Sequence, residues 1–191
     1  MKLGIIIKIE NEKINNLVTN LEKNLSLELD NVKPHITLYS LESLDKLKEI
    51  KEDIERLLKK YKQFKLIING FNFTKYLTLQ LVFQYSKELN KLHYDIVTKL
   101  SKYIDKKIPS KPKLFYNTFS QEERKLIDLY GRPNVLENFK PHITLGKFKK
   151  EKQKYIEGHL STKNINLKLN IITLKLIDLE NFETLSEFKL N

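Results

Sequence analysis

The hexamer KPHITL occupies residues 33–38 and occurs again, unchanged, at residues 140–145. The histidines of the two copies are 107 positions apart, and the flanking sequences, LDNV and YSLE against LENF and GKFK, differ. A short segment repeated at this distance indicates a duplicated structural unit and not a low-complexity echo. The repeat also carries a chemically useful side chain, because the ordinary pKa of histidine lies near neutral pH.

Each hexamer is predicted to begin a β-strand. Proline is tolerated at the first residue of a strand, where its missing N–H breaks no ladder hydrogen bond. Side chains then alternate between two faces, so His35 and Thr37 share one face while the aliphatic residues beside them face a core. The same alternation pairs His142 with Thr144. If a pseudo-twofold axis relates the two copies, both His/Thr pairs converge on one cleft.

Two histidines that face one cleft can move protons in both directions. A neutral imidazole takes a proton from an attacking hydroxyl or water, and a protonated imidazole gives one to the leaving oxygen. The threonine hydroxyls can hold phosphate oxygens without adding charge. Two histidines supply fewer ligands than a usual zinc site requires, and no carboxylate recurs at a matching position. We therefore expect no metal and no other cofactor. The alternative is that these are incidental strand residues, an interpretation that two identical hexamers disfavour.

Two H-x-T motifs separated by about half the chain resemble those of the 2H phosphoesterase superfamily. This family includes RNA 2',5'-ligase-like proteins, 2',3'-cyclic phosphodiesterases and 2',5'-phosphodiesterases. The resemblance covers the opening strand, the internal duplication and the form FKPHITLGKF of the second motif. It implies a bilobal α+β fold, with pseudo-twofold duplicated antiparallel sheets, flanking helices and a central cleft. Residues 1–191 would then form a single domain of two lobes, each contributing one H-x-T motif.

The resemblance also implies roles for residues of the two motifs. His35 and His142 would be the catalytic acid and base, and Thr37 and Thr144 would bind the substrate phosphate. The family often has a basic residue shortly after the second motif, and Lys147 matches that position as lysine, where arginine is more usual.

Tyr39 and Lys147 are further candidate substrate-binding residues. By strand alternation Tyr39 is predicted on the face of His35 and Thr37, where its ring could stack on a base. It could equally line the wall of the cleft.

The implied function is that of a metal-independent phosphoesterase that cleaves RNA-type phosphodiesters. Its substrates would be 2',3'-cyclic phosphate ends or 2',5' linkages, so that RNA ends, oligonucleotides or cyclic nucleotides are the expected partners of a monomer. One alternative is a non-catalytic module that binds RNA or a nucleotide. Another is an RNA 2',5'-ligase, which is the same chemistry run in reverse.

The composition excludes several other classes of protein. The chain has no cysteine, which rules out a disulfide scaffold, a thiolate nucleophile and a cysteine zinc site. It contains neither GxxxxGK[ST] nor GxGxxG, so ATP-dependent ligation and dinucleotide redox chemistry have no sequence support. A formal net charge of +11 indicates an anionic partner such as nucleic acid, or codon bias towards lysine. No apolar run approaches the roughly 20 residues that span a bilayer, and we expect a cytoplasmic protein without membrane contact.

Helical and strand patterns mix without strict βαβ order, which favours antiparallel sheets. Strands are predicted at 3–9, 64–73, 76–83, 165–179 and 182–190, besides the two motifs. Helices are predicted at 11–25, 43–61, 86–104 and 120–133. The last of these has a capping box of Ser120 and Glu123 and ends at Gly131, and residues 105–119 are predicted to be a loop.

Four other residues have side chains suited to phosphate chemistry but receive no functional role. His93 is predicted at the boundary of a helix face and His159 in a surface turn. Arg124 and Arg132 are predicted to be solvated.

Overall fold

The computed structural model describes residues 1–25, 33–43, 45–105, 111–161 and 165–191. Within these residues the α-helices are α1 (Glu12–Leu25), α2 (Leu47–Leu58), α3 (Lys87–Leu100), α4 (Gln121–Tyr130) and α5 (Gln153–Ser161). The strands are β1 (Lys2–Lys8), β2 (His35–Glu42), β3 (Phe64–Phe73), β4 (Thr78–Phe83), β5 (His142–Lys147), β6 (Leu167–Ile171), β7 (Thr173–Asp178) and β8 (Thr184–Lys189). Short 3-10 turns lie at 101–103, 111–118, 136–138 and 150–152.

The strands form two antiparallel sheets of four strands each. The first sheet has the order β2-β1-β7-β8 and the second has the order β5-β4-β3-β6. In each sheet the edge strand begins in one KPHITL copy and pairs with the strand that precedes it in the chain, across one helix as β1-α1-β2 and across two as β4-α3-α4-β5. The predicted α+β fold with duplicated antiparallel sheets is confirmed.

The two sheets do not correspond to two halves of the sequence. The segment 165–179, predicted as one strand, breaks at Ile172 into β6 of the second sheet and β7 of the first. Both pieces show the same alternation of apolar residues, so the pattern alone does not indicate which sheet each one joins. The hairpin predicted around residues 180–181 is present between β7 and β8.

The C-terminal end of α4 is joined by hydrogen bonds to β2, the first motif strand. Its capping box joins Ser120 and Glu123 as predicted, and Gly131 ends the helix in the left-handed conformation at φ +70°. One residue further, Arg132 donates to the Glu42 carboxylate at 2.8 Å and to a backbone carbonyl of β2. Glu42 is buried, so Arg132 belongs to an ion pair and is not the solvated arginine that the sequence predicted.

Other local predictions differ from the structure. Helix α5 was not predicted, and His159 lies exposed in its last turn instead of in a surface turn. Residues 111–118 form 3-10 turns within a predicted loop, while residues 106–110 of that loop and Leu44 of a predicted helix lie outside the described residues. No helix in the described part of the chain combines the length and apolar character needed to cross a bilayer.

Candidate active site

The two motif strands lie side by side. Cα atoms of the edge strands β2 and β5 approach within 8 Å of each other, although the strands are not paired by hydrogen bonds. In both strands the histidine is half-buried and the threonine is exposed, while the isoleucine between them is buried. The predicted alternation is therefore correct in each strand, and we call the space bordered by the His/Thr faces of β2 and β5 the cleft.

Both motif histidines have the same backbone partner. Nδ1 of His35 lies 3.0 Å from the carbonyl oxygen of Lys33, and Nδ1 of His142 lies 2.8 Å from that of Lys140. A carbonyl oxygen only accepts hydrogen bonds, so Nδ1 donates in each case and carries the hydrogen. Nε2 is then the atom that exchanges protons, and within the described residues it has no hydrogen-bond partner in either imidazole.

The surroundings of His35 favour its neutral form. Burial lowers the pKa of His35 below its usual 6.5, the hydrogen bond to the carbonyl of Lys33 raises it, and the positive charge of His142 lowers it. A neutral imidazole with a bare Nε2 can accept a proton near neutral pH. The effect of His142 also means that the two imidazoles lie within electrostatic reach of each other.

The two threonine hydroxyls are open to a ligand. Thr37 and Thr144 are exposed, and neither hydroxyl has a hydrogen-bond partner within the described residues. A hydroxyl both donates and accepts, so each can bind a phosphate oxygen.

A β-bulge follows the threonine in each motif. The register with the neighbouring strand skips Leu38 in β2 and Leu145 in β5, the final residues of the two hexamers. One extra residue shifts the later side chains to the opposite face. The duplication therefore includes the position of the β-bulge as well as the amino-acid sequence of the hexamer.

The bulge overturns the prediction for Tyr39. Its side chain is 2% exposed, and its hydroxyl donates to the carbonyl oxygen of Tyr130 at 2.8 Å. Burial raises the pKa of this hydroxyl, which stays protonated. Tyr39 lies in the core, where its ring cannot stack on a ligand.

The matching bulge in β5 has the opposite effect on Lys147. Gly146, which follows Leu145, is buried, and Lys147 is exposed. The shift returns Lys147 to the face of Thr144, although simple alternation would place it on the opposite face.

His93 lies close to both motifs, which the sequence analysis missed. It is 1% exposed, donates from Nδ1 to the carbonyl oxygen of Leu38 and accepts at Nε2 from the N–H of Leu136. Its helical spacing from the buried Leu89 and Ile96 could have indicated a core position. Arg124, which also received no functional role, lies with its guanidinium carbon 5.8 Å from the centroid of the Tyr116 ring.

The two sides of the cleft differ in chemistry. Lys8 pairs with His35 across β1 and β2, and Val82 holds the corresponding position beside His142. One row further, Lys175 of the first sheet corresponds to an asparagine of the second. The strand pairing is duplicated, but the lysines at these two positions are not.

Each side opens into its own cavity. The His35 cavity measures about 370 Å³ and is lined by Lys8, Lys33, Lys175 and Phe182, among others. The His142 cavity measures about 780 Å³ and is rich in aromatic rings and amides, including those of Tyr76, Tyr85, Asn90, Asn134, Asn138 and Phe139. Within the described residues, no three His, Cys, Asp or Glu side chains lie close enough together to hold a metal ion.

Comparison with known proteins identifies a family for this chain. The model of the 2'-5' RNA ligase superfamily matches residues 9–182. A comparison with the sequences of curated proteins finds no match.

Solved structures share the fold over almost the whole chain. TT0787 of Thermus thermophilus has a TM-score of 0.67 at 14% identity, covering 100% of this chain and 98% of that one. E. coli LigT complexed with NADP+ has a TM-score of 0.63 at 14% identity, with 99% and 97% covered. Usb1 of Kluyveromyces marxianus has a TM-score of 0.52 at 11% identity, with 99% and 98% covered. LigT has also been solved with phosphate, 3'-AMP and ATP.

Proposed function

This chain belongs to the 2'-5' RNA ligase superfamily, the 2H phosphoesterases, and on that premise we propose that it hydrolyses RNA-type phosphodiesters. Its substrates are 2',3'-cyclic phosphate ends or 2',5' linkages. The observation that carries the proposal is the pair of imidazoles on adjacent edge strands, each with Nδ1 engaged and Nε2 directed to proton exchange. An unengaged threonine hydroxyl follows two residues after each histidine.

The reaction on a 2',3'-cyclic phosphate needs one base and one acid. His35 takes a proton at Nε2 from a water molecule, whose oxygen attacks phosphorus. The bond from phosphorus to one ribose oxygen breaks, and that oxygen receives the Nε2 proton of protonated His142. Thr37 and Thr144 hold non-bridging phosphate oxygens, which carry the charge of the transition state. Proton exchange with solvent then restores both imidazoles.

The assignment of base and acid follows the surroundings of the two residues. The lowered pKa of His35 keeps it neutral and able to accept a proton at neutral pH. The roomy His142 cavity suits the nucleoside, whose ribose oxygen is the leaving group in this reaction. The acid therefore stands beside the leaving oxygen, and the base stands on the opposite side, where water enters.

The lining of the His142 cavity supports a nucleobase as its occupant. Phe139 is half-buried at this cavity, and Tyr76 and Tyr85 are 74% and 82% exposed at its rim. Bases stack on aromatic rings, and amide groups can hydrogen-bond to base edges. E. coli LigT, which has the same fold, has been solved with 3'-AMP and with ATP.

The test is turnover of 2',3'-cyclic AMP in the presence of EDTA, followed by identification of the product. We expect a nucleoside monophosphate to accumulate, and we expect His142→Ala to abolish most of it. Binding of the nucleotide without any turnover would identify the chain as a binding module and would contradict the proposal.

A further inference from the structure

Two partly buried lysines line the cleft beside His35. Lys8 lies on β1 directly opposite His35, and its side chain is 26% exposed. Lys175 lies on β7, and its side chain is 15% exposed. Lysine is seldom buried to this extent without a partner. Each has one, because Lys8 pairs with Glu10 and Lys175 pairs with Glu187 at 2.8 Å.

The position of Lys175 relative to the motif follows from the register. Thr37 pairs with Ile6, and Ile6 pairs with Lys175, so the three residues form one row across β2, β1 and β7. Two strand spacings separate Thr37 from Lys175 by about 10 Å at the backbone. Lys175 lines the same cavity as His35, and its ammonium group therefore lies beyond the phosphate site, on the side away from β5.

The two lysines have no counterpart at the matched strand positions of the second sheet. The positions that match Lys8 and Lys175 in the second sheet are Val82 and Asn72, and Asn72 donates to the side chain of Gln80 at 3.1 Å. At these two matched strand positions the duplicated backbone thus carries lysines in the first sheet and neutral residues in the second, while the lysines of the His142 cavity, Lys75 and Lys140, lie outside these rows. The fold itself does not require the lysines.

An aromatic ring closes the same cavity. Phe182, in the turn between β7 and β8, is 43% exposed, and its ring centroid lies 6.3 Å from that of His35. Its backbone adopts a left-handed conformation at φ +58°, which a bulky residue adopts only at the expense of strain. The strained turn presents a flat apolar surface beside the motif, of the kind on which bases stack.

Hydrolysis of a cyclic phosphate requires only water on the His35 side. A wall with two ammonium groups and an aromatic ring offers binding groups that water does not use. We propose that the His35 cavity binds a second nucleotide of the substrate, with its distal phosphate on Lys175 and Lys8 and its base against Phe182. The preferred substrate is then an oligonucleotide with an internal 2',5' linkage in the cleft, and not a cyclic mononucleotide. Water activated by His35 attacks phosphorus, the bond from phosphorus to the 2' oxygen on the His142 side breaks, and that oxygen takes the proton of His142, so the second nucleotide keeps the phosphate. This inference rests on the proposed function, which assigns the other nucleoside to the His142 side.

Two ligands of equal charge test this arrangement. The 2',5'-linked dinucleotide ApA can carry an extra phosphate on its second nucleoside, as ApAp, or on the 5' end of its first, as pApA. In the proposed orientation only the phosphate of ApAp reaches Lys175. Dissociation constants are measured by calorimetry in the His142→Ala background, where turnover does not interfere.

Substitutions of Lys175 and Glu187, the two partners of one ion pair, should change the affinity for ApAp in opposite directions. Lys175→Gln should weaken the binding of ApAp roughly tenfold, since a hydrogen bond to a charged group is lost, and should change pApA by less than about twofold. Glu187→Gln should tighten the binding of ApAp, because the competing carboxylate is removed. Lys59→Gln, an exposed lysine at the end of α2, makes the same charge change away from the cleft and should alter neither ligand.

Salt dependence gives a second measurement. An added phosphate contact on a single strand steepens the plot of log Kd against log salt by about 0.7. We expect this difference in slope between ApAp and ApA in the His142→Ala background, and we expect it to disappear when Lys175→Gln is added.

The outcomes separate this inference from the proposed function. If both Lys175→Gln and Glu187→Gln leave the ratio of ApAp to pApA binding unchanged, their pair is only structural and the inference is wrong. A dependence of pApA, instead of ApAp, on Lys175 also overturns it. Absence of turnover in the protein with both histidines contradicts the proposed function, and the binding results still decide the inference.

Discussion

The imidazole ring of His93 lies flat on the phenyl ring of Phe139, with 3.7 Å between the centroids and 4° between the planes. The same imidazole donates to the carbonyl oxygen of Leu38 at 2.7 Å and accepts from the N–H of Leu136 at 2.8 Å. Leu38 ends the first hexamer, and Phe139 immediately precedes the second. One buried side chain therefore connects the two motifs, and it must be neutral to accept the bond from Leu136.

This connection should make the stability of the protein depend on pH. Burial lowers the pKa of His93 from 6.5 to about 4, so below pH 6.5 the unfolded chain binds a proton that the folded chain excludes. The contribution is fully present above pH 6.5 and is lost as the pH falls towards 4. Between about pH 7.5 and pH 5 we expect the free energy of unfolding to fall by about 2 kcal/mol from this residue. Urea unfolding at the two pH values measures the change.

A variant isolates the contribution of His93 from those of other groups. His93→Phe keeps an aromatic ring against Phe139 but leaves the Leu38 carbonyl and the Leu136 N–H unpaired, which should cost about 2–5 kcal/mol. Between pH 7.5 and pH 5, the free energy of unfolding of His93→Phe should fall by less than that of the parent chain. His159→Phe, at an exposed position, serves as the control. An equal pH response in His93→Phe and the parent chain would contradict the assignment.

The alternation within KPHITL predicted that each histidine shares a face with its threonine, because that relationship is local to the strand. The duplicated antiparallel sheets were implied by the family resemblance and not by the alternation. The prediction failed at Tyr39, because alternation assumes an unbroken register and a bulge after Leu38 changes it. The exchange of β6 and β7 between sheets could not be predicted either, since pairing partners are set by long-range packing. The position of Lys175 in the His35 cavity likewise could not be predicted, because only strand pairing places it in the row of Thr37.

The two motif histidines should be essential for turnover and dispensable for folding. His35→Ala or His142→Ala should each lower kcat by about 10²–10⁴-fold, the usual contribution of a positioned acid or base. Both imidazoles are half-buried at the cleft, so the melting temperature should change little. Steady-state kinetics on 2',3'-cyclic AMP and a thermal melt check both statements, with His159→Ala as the matched control. Rates near those of the parent in both variants would refute the acid–base assignment.

The coupling between the two imidazoles should be visible in their titration. The positive charge of His142 lowers the pKa of His35, so its removal in His142→Ala should raise the pKa of His35 towards 6.5. NMR of the imidazole Cε1–H signals against pH measures this directly. In the parent chain, kcat/KM should remain high down to a pH below 6.5, because the base stays neutral there. A pKa of His35 that does not respond to His142→Ala would mean that the imidazoles lie too far apart to share one phosphate.

The threonines separate a phosphate site built by both motifs from a cleft that merely holds two histidines. Thr37 and Thr144 are exposed on the face of their histidines, and Thr→Val keeps the shape and β-propensity of either while deleting the hydroxyl. The loss of one hydrogen bond to a charged phosphate costs about 1.5–3 kcal/mol, which corresponds to a decrease in kcat/KM of about ten- to a hundredfold. Stability should be almost unchanged, since neither hydroxyl has a partner within the described residues. Thr98→Val, on the exposed side of α3, is a matched control that should leave kcat/KM unaltered. If only one of the two motif variants loses activity, the phosphate is held by one motif alone, and the duplicated hydroxyls do not act as a pair.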